Sequence, residues 1–160
     1  MDCDECPSGW FQPQSGNTSC LFCKAEFGEG SSSDGTGNTG CSKVPPGSFV
    51  NAFNMTNKCT EGYFCGGGAD GRKPCNNGTY AKNTGSVECF PCAPGMYAEH
   101  QASMICIDCP NGWLQEEEGK DECHKPKDGT ISVGGVSSVT IAEGWLATKC
   151  SADGVCKETQ

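Results

Sequence analysis

Large apolar side chains are sparse along this chain, and some of them mark one recurrent place: Phe11, Tyr80, Tyr97 and Leu114 each stand two residues after a glycine and are followed by a run of mostly polar residues. No helical period runs through these stretches, and the glycine permits positive φ. The pattern predicts a turn followed by a short hairpin, repeated along the chain. Gly129 to Ala142 (GTISVGGVSSVTIA) differs, being free of cysteine and enriched in Val, Ile and Thr, and predicts a separate strand or hairpin.

Cysteine spacing turns this pattern into a repeat. Cys6 to Cys20, Cys75 to Cys89, Cys92 to Cys106 and Cys109 to Cys123 each enclose 13 residues. Gly9, Gly78, Gly95 and Gly112 stand third after the opening cysteine, so the unit reads C-x-x-G-x-[FYL]-x8-C, with a strict period of 17 from Cys75 through Cys92 to Cys109. Gly16, Gly85 and Gly119 recur ten residues after the opening cysteine. Two imperfect copies begin at Val44 (VPPGSF) and Cys59 (CTEGYF, with an extra Cys65), giving six visible unit starts.

The expected domain plan is a repeat unit at 3–27, a Gly/Ser-rich loop or linker at 28–40, two degenerate units at 41–74, three 17-residue units at 75–124, and a β-rich segment with a terminal cysteine pair at 125–160. The expected fold class is small and disulfide-rich: an elongated array of short β-hairpin modules, EGF-like or tumour-necrosis-factor-receptor-like, packing only on their neighbours.

Composition strengthens the disulfide reading. Fifteen cysteines in 160 residues, 23 glycines and only 8% aromatics leave too little apolar surface to offset backbone ordering, which costs about 1–2 kcal/mol per residue. Cross-links supply the deficit. The net charge of -9, with 11 scattered Lys and Arg, argues against a nucleic-acid partner. No apolar run is long enough to span a membrane, and Met1 to Trp10 has no signal-peptide core, so a secreted reading expects this to be a mature or internal piece of a longer chain.

The segments Cys6 to Phe11 (CPSGWF), Cys92 to Tyr97 (CAPGMY) and Cys109 to Leu114 (CPNGWL) resemble the units of ephrin-receptor-type cysteine-rich repeats, and the first loop of tumour necrosis factor receptor repeats is similar. Cys59 to Tyr80 resembles the two-cysteine variant of long repeat arrays in protist and algal surface proteins. The resemblance implies the pairings Cys6–Cys20, Cys75–Cys89, Cys92–Cys106 and Cys109–Cys123. Cys150–Cys156 is expected as a small loop, while the partners of Cys3, Cys23, Cys41, Cys59 and Cys65 stay open.

Zinc is the rival chemistry, because Cys3-x2-Cys6-x13-Cys20-x2-Cys23 and Cys89-x2-Cys92-x13-Cys106-x2-Cys109 both have near-ribbon spacing. The same gap extends beyond the second quartet to Cys75 and Cys123, which favours a disulfide ladder with no metal and no cofactor. Asn17, Asn54 and Asn77 open N-glycosylation sequons in expected loops. Acidic clusters at Asp2, Asp4 and Glu5 and at Glu116 to Glu118, Asp121 and Glu122 match no calcium loop and read as solvated faces. The only histidines, His100 and His124, stand in no catalytic context, and Gly66 to Gly68 lacks the rest of a phosphate loop, so no enzyme is expected. Trp10, Trp113 and Trp145 are candidates for interface aromatics.

The function expected from this pattern is a structural and adhesive segment of an extracellular cell-surface or appendage-fibre glycoprotein. Its partners are other protein chains, copies or relatives, together with N-linked glycans. The alternatives are a receptor ectodomain for a protein ligand and an intracellular zinc-stabilised interaction module.

Overall fold

The computed structural model describes residues 5–140 of the chain. Every unit starts from the same tight turn. In Pro7-Ser8-Gly9-Trp10 the Trp10 N–H donates to the Pro7 carbonyl at 3.0 Å, and Gly9 takes φ +82°, as the third residue of a type II turn demands. This turn recurs with its glycine at Gly30, Gly47, Gly62, Gly78, Gly95, Gly112 and Gly129, all at positive φ. Pro46 and Pro94 occupy the second position of their turns, where a fixed φ near -65° fits.

Eight turns therefore define eight repeats, opening at Cys6, Cys23, Val44, Cys59, Cys75, Cys92, Cys109 and Pro126. Each turn leads into one antiparallel hairpin. Seven are two-stranded sheets, such as Trp10–Phe11 with Leu21–Phe22, Met96–Tyr97 with Ile107–Asp108, and Thr130–Val133 with Ser137–Thr140. In repeat 7 the pairing contracts to the single bridge Leu114–His124. In repeats 1, 2, 3, 5 and 6 the first residue of the following repeat returns its N–H to the turn glycine, as Cys92 does to Gly78 O at 2.9 Å and Cys109 to Gly95 O at 2.8 Å. Pro126 has no N–H to give Gly112.

Two repeats were not among the six starts visible in the sequence. Gly28 to Gly40 is no linker: it belongs to repeat 2, whose hairpin pairs Ser31–Ser32 with Ser42–Lys43 and whose disulfide joins Cys23 to Cys41. A one-turn helix at Cys23–Phe27 adds four residues between the opening cysteine and the turn, stretching the disulfide separation from 14 to 18. Cys41 consequently closes repeat 2 and does not open the degenerate pair expected at 41–74, which begins at Val44. The Val/Ile/Thr-rich segment after Cys123 repeats the same unit, with Pro126 in the cysteine position, Gly129 in the turn and Ile131 in the strand.

The described residues form two compact bodies: the first runs to Pro74 and includes Lys82–Glu88, and the second takes Cys75–Ala81 and the residues from Cys89 onward. Within each body sequential repeats stack through the same three backbone hydrogen bonds. In the second, Gly78 N–H donates to Ala98 O (2.8 Å), Ala81 N–H to Ser103 O (3.1 Å) and Ala102 N–H to Cys75 O (2.8 Å). In the first, repeats 1 and 2 carry the matching set: Gly9 N–H donates to Ser33 O (2.9 Å), Gln12 N–H to Asn38 O (2.9 Å) and Gly37 N–H to Cys6 O (3.0 Å). Because these bonds are backbone to backbone, sequence can drift between repeats while the stack persists.

Packing also reaches past the immediate neighbour, contrary to the neighbour-only expectation. A methyl group at Gly78 would lie 1.9 Å from Gly119 O in repeat 7, and one at Gly47 would lie 2.4 Å from Gly85 O in repeat 5. The turn glycine is thus required twice, by its φ and by the backbone laid against it. The second recurrent glycine sits in a left-handed bend that holds even without glycine: among the described residues the two non-glycines with positive φ, Asn54 (+61°) and Ala102 (+59°), both fall ten residues after their repeat's opening position.

The core is correspondingly thin. Buried apolar positions are the opening cysteines Cys6, Cys23, Cys59, Cys75 and Cys92, Val44 in the same place, the closing Cys123, Phe11, Leu114, and the small residues Cys65, Ala81 and Ala98 at the sixth position after the opening one. Repeat 2 places Ser33 there; its hydroxyl donates to Trp10 O at 2.9 Å, while the Ser32 hydroxyl donates to Asn54 O at 2.6 Å, so burying these serines leaves no unpaired group. Gln115, buried in the same position, donates to Glu122 O at 2.8 Å and accepts the Glu117 N–H at 3.0 Å. On the surface of the first body Arg72 lies over Tyr63, 4.3 Å from the ring centroid, and 5.7 Å from that of Phe49.

Candidate functional site

Six disulfides join the described cysteines: Cys6–Cys20, Cys23–Cys41, Cys59–Cys65, Cys75–Cys89, Cys92–Cys106 and Cys109–Cys123. Four of them span 14 residues and staple the opening of a repeat to the residue just before its return strand. Cys59–Cys65 spans only six, because Cys65 stands at the sixth position that a small buried residue takes in other repeats, and no cysteine follows before Cys75. Cys3 and the expected pair Cys150–Cys156, with Trp145, lie outside the described residues.

The cysteines of the second zinc-like quartet go to three different bonds: Cys89 to Cys75, Cys92 to Cys106, Cys109 to Cys123. Among the described residues no group of three or more His, Cys, Asp or Glu side chains is arranged to hold a metal ion. Disulfides at this density form and persist in oxidising compartments, as in secreted and extracellular proteins. No described helix is long and apolar enough to cross a membrane.

The sequon asparagines differ in setting. Asn17 and Asn77 are exposed, Asn17 in the bend before Cys20 and Asn77 in the opening turn of repeat 5. Asn54 is half-buried at the left-handed bend of repeat 3, where its carbonyl accepts the Ser32 hydroxyl and its β-carbon packs against Gly9. His100 is exposed with only Glu99 beside it at 3.9 Å, and the backbone of His124 pairs with Leu114 in repeat 7. Glu117 and Lys120 form an exposed ion pair at 2.8 Å, which holds the Glu117 carboxyl below its ordinary range and the Lys120 ammonium above its own, in both cases first through their hydrogen bond. Glu5, of the N-terminal acidic cluster, accepts the Thr36 hydroxyl of repeat 2.

Aromatic side chains are the most prominent surface chemistry. Trp10 is 37% exposed and tilts against Phe22 with centroids 5.0 Å apart. Trp113 is equally exposed and lines an open groove with Tyr97, Pro110, Asn77 and the carboxylates Glu99, Asp121 and Glu122. Of its residues the sequence marks only Trp113 as a candidate interface aromatic, because the walls come from three successive repeats, whose stacking brings Asn77, Tyr97 and Trp113 together.

No family model matches the chain, and no curated protein matches its sequence. The described residues are a disulfide-rich array of cysteine-rich hairpin modules, established by the geometry itself.

Proposed function

We propose that this chain is a non-catalytic structural and adhesive segment of an extracellular glycoprotein that assembles, with copies or relatives of itself, into a cell-surface or appendage fibre. The observation that carries the reading is the repeat stack: eight hairpins held by six disulfides and by recurrent backbone hydrogen bonds. Such a chain is cross-linked in six of its eight described repeats and depends on no single core, which suits a segment that bears load or resists proteolysis outside the cell.

The resemblance to ephrin-receptor-type and tumour-necrosis-factor-receptor-type repeats supports an extracellular setting and is compatible with either a fibre component or a receptor ectodomain. Exposed Asn17 and Asn77 are the sequons best placed to carry glycan.

Purification from the native source under non-reducing conditions tests this. A fibre component sediments with related chains, carries hexose on Asn17 or Asn77, and resists thiol alkylation at its described cysteines. A protein recovered as a monomer from detergent-solubilised membranes supports the receptor alternative. One whose cysteines alkylate after chelation refutes the extracellular reading.

A further inference from the structure

The groove beside Trp113 has a volume of about 620 Å3 and is built wholly from the second body. Repeat 5 contributes Asn77, repeat 6 Tyr97 and Glu99, and repeat 7 Trp113, Asp121 and Glu122. Two aromatic rings thus share one open concavity with three carboxylates, all three exposed, and among the described residues no lysine or arginine lines it. The ring of Trp113 already faces a cation: Lys125 Nζ stands 5.4 Å from its centroid.

Carboxylates at the rim of an aromatic surface raise the local concentration of cations and give a planar guanidinium both a face to stack on and oxygens to fork onto. A neutral sugar also stacks on indole, but it brings no charge to complement the carboxylates, of which Asp121 already faces Lys120. We propose that, on chains without glycan at Asn77, this groove binds an arginine side chain of a partner polypeptide, the guanidinium stacking on Trp113 or Tyr97 and hydrogen-bonding to Glu99 or Asp121, with Lys125 as the built-in competitor for the indole face. This inference deepens the partner-binding role proposed above and rests on it; failure of the groove leaves the assembly and alkylation tests standing.

The test is a titration of the full, oxidised chain, following the Trp113 indole N–H by two-dimensional NMR. The probe is the blocked tripeptide Gly-Arg-Gly; Gly-Gln-Gly and the N-acetylglucosamine disaccharide are the comparators. The arginine peptide shifts the indole resonance saturably. Removing two carboxylates with Glu99→Gln and Asp121→Asn weakens it about fivefold, and Lys125→Ala tightens it about threefold, the scale of single exposed cation–π and ion-pair contacts. Both sets of substitutions are at exposed positions, and unchanged amide dispersion verifies that the fold is kept. An indole that ignores the arginine peptide, that responds equally to Gly-Gln-Gly, or that responds instead to the disaccharide overturns the proposal, as does an affinity indifferent to the two carboxylates.

Discussion

Gly78→Ala is the perturbation that probes the repeat stack most sharply. Gly78 has φ +77°, a conformation that costs an L-residue about 1–2 kcal/mol. Its new methyl group would lie 1.9 Å from Gly119 O and 2.5 Å from Gly119 C, where contact needs more than 3 Å or so. Gly119 cannot readily give way, because its N–H is bonded to Cys92 O at 2.8 Å. Overpacking of this kind adds about 1–3 kcal/mol, so the substitution costs about 3–4 kcal/mol in all. Gly112→Ala is the control: the same turn position has φ +81° but no described atom within 4 Å of the added methyl, so only the conformational cost of about 1–2 kcal/mol remains. Urea unfolding with disulfides intact should separate the two by roughly 2 kcal/mol, more than a tenfold change in the equilibrium constant. Hydrogen exchange of the Gly119 amide should accelerate in Gly78→Ala and stay unchanged in Gly112→Ala. Equal destabilisation by both, with Gly119 exchange untouched, would refute the packing of repeat 5 against repeat 7.

Three further outcomes follow from the same geometry. Ala102→Gly relieves a left-handed alanine at a position that is glycine in repeats 5 and 7, and should stabilise by up to about 1 kcal/mol, read as a higher urea midpoint; destabilisation would contradict the strained bend. Replacing Cys92 and Cys106 together by serine opens a 15-residue loop and should cost about 3 kcal/mol, with exchange accelerating first at Gly95 and Cys109, whose amides bond around that turn; uniform loss of protection over both bodies would contradict repeat-wise stability. Glu117 should titrate below an ordinary glutamate in carboxyl NMR and return to the ordinary range in Lys120→Gln; since a depressed folded value contributes stability above the unfolded one, its small contribution is lost as pH falls through the folded value. An unchanged Glu117 titration in that variant would sink the pair.

Much of the fold was legible where glycine and cysteine coincide. In repeats 1, 5, 6 and 7 the C-x-x-G spacing carries both the turn and the staple. Repeat 2 escaped because four helical residues separate Cys23 from its turn, and because its strand is serine where others carry an aromatic. The available signal was Cys23 itself, 17 residues after Cys6. Repeat 8 escaped because proline replaces the cysteine, although Pro126 keeps the period of 17 from Cys109 and Gly129 and Ile131 keep the motif. Both cases say that the glycine turn and backbone bonds define the unit, and the disulfide reinforces it. The groove at Trp113 was illegible for a different reason: it depends on which face of each hairpin meets the next, and spacing does not encode this.

The central claim is that one hairpin repeat, set by the glycine turn and not by cysteine spacing, runs from residue 6 to residue 140, and the irregular cysteines decide it. Proteolysis of the oxidised chain under non-reducing conditions, with mass spectrometry of the linked peptides, reads Cys23, Cys41, Cys59 and Cys65 directly. Cys23–Cys41 and Cys59–Cys65 are the pairs this repeat register requires. A Cys41–Cys59 bond, or free thiols at all four, would contradict it.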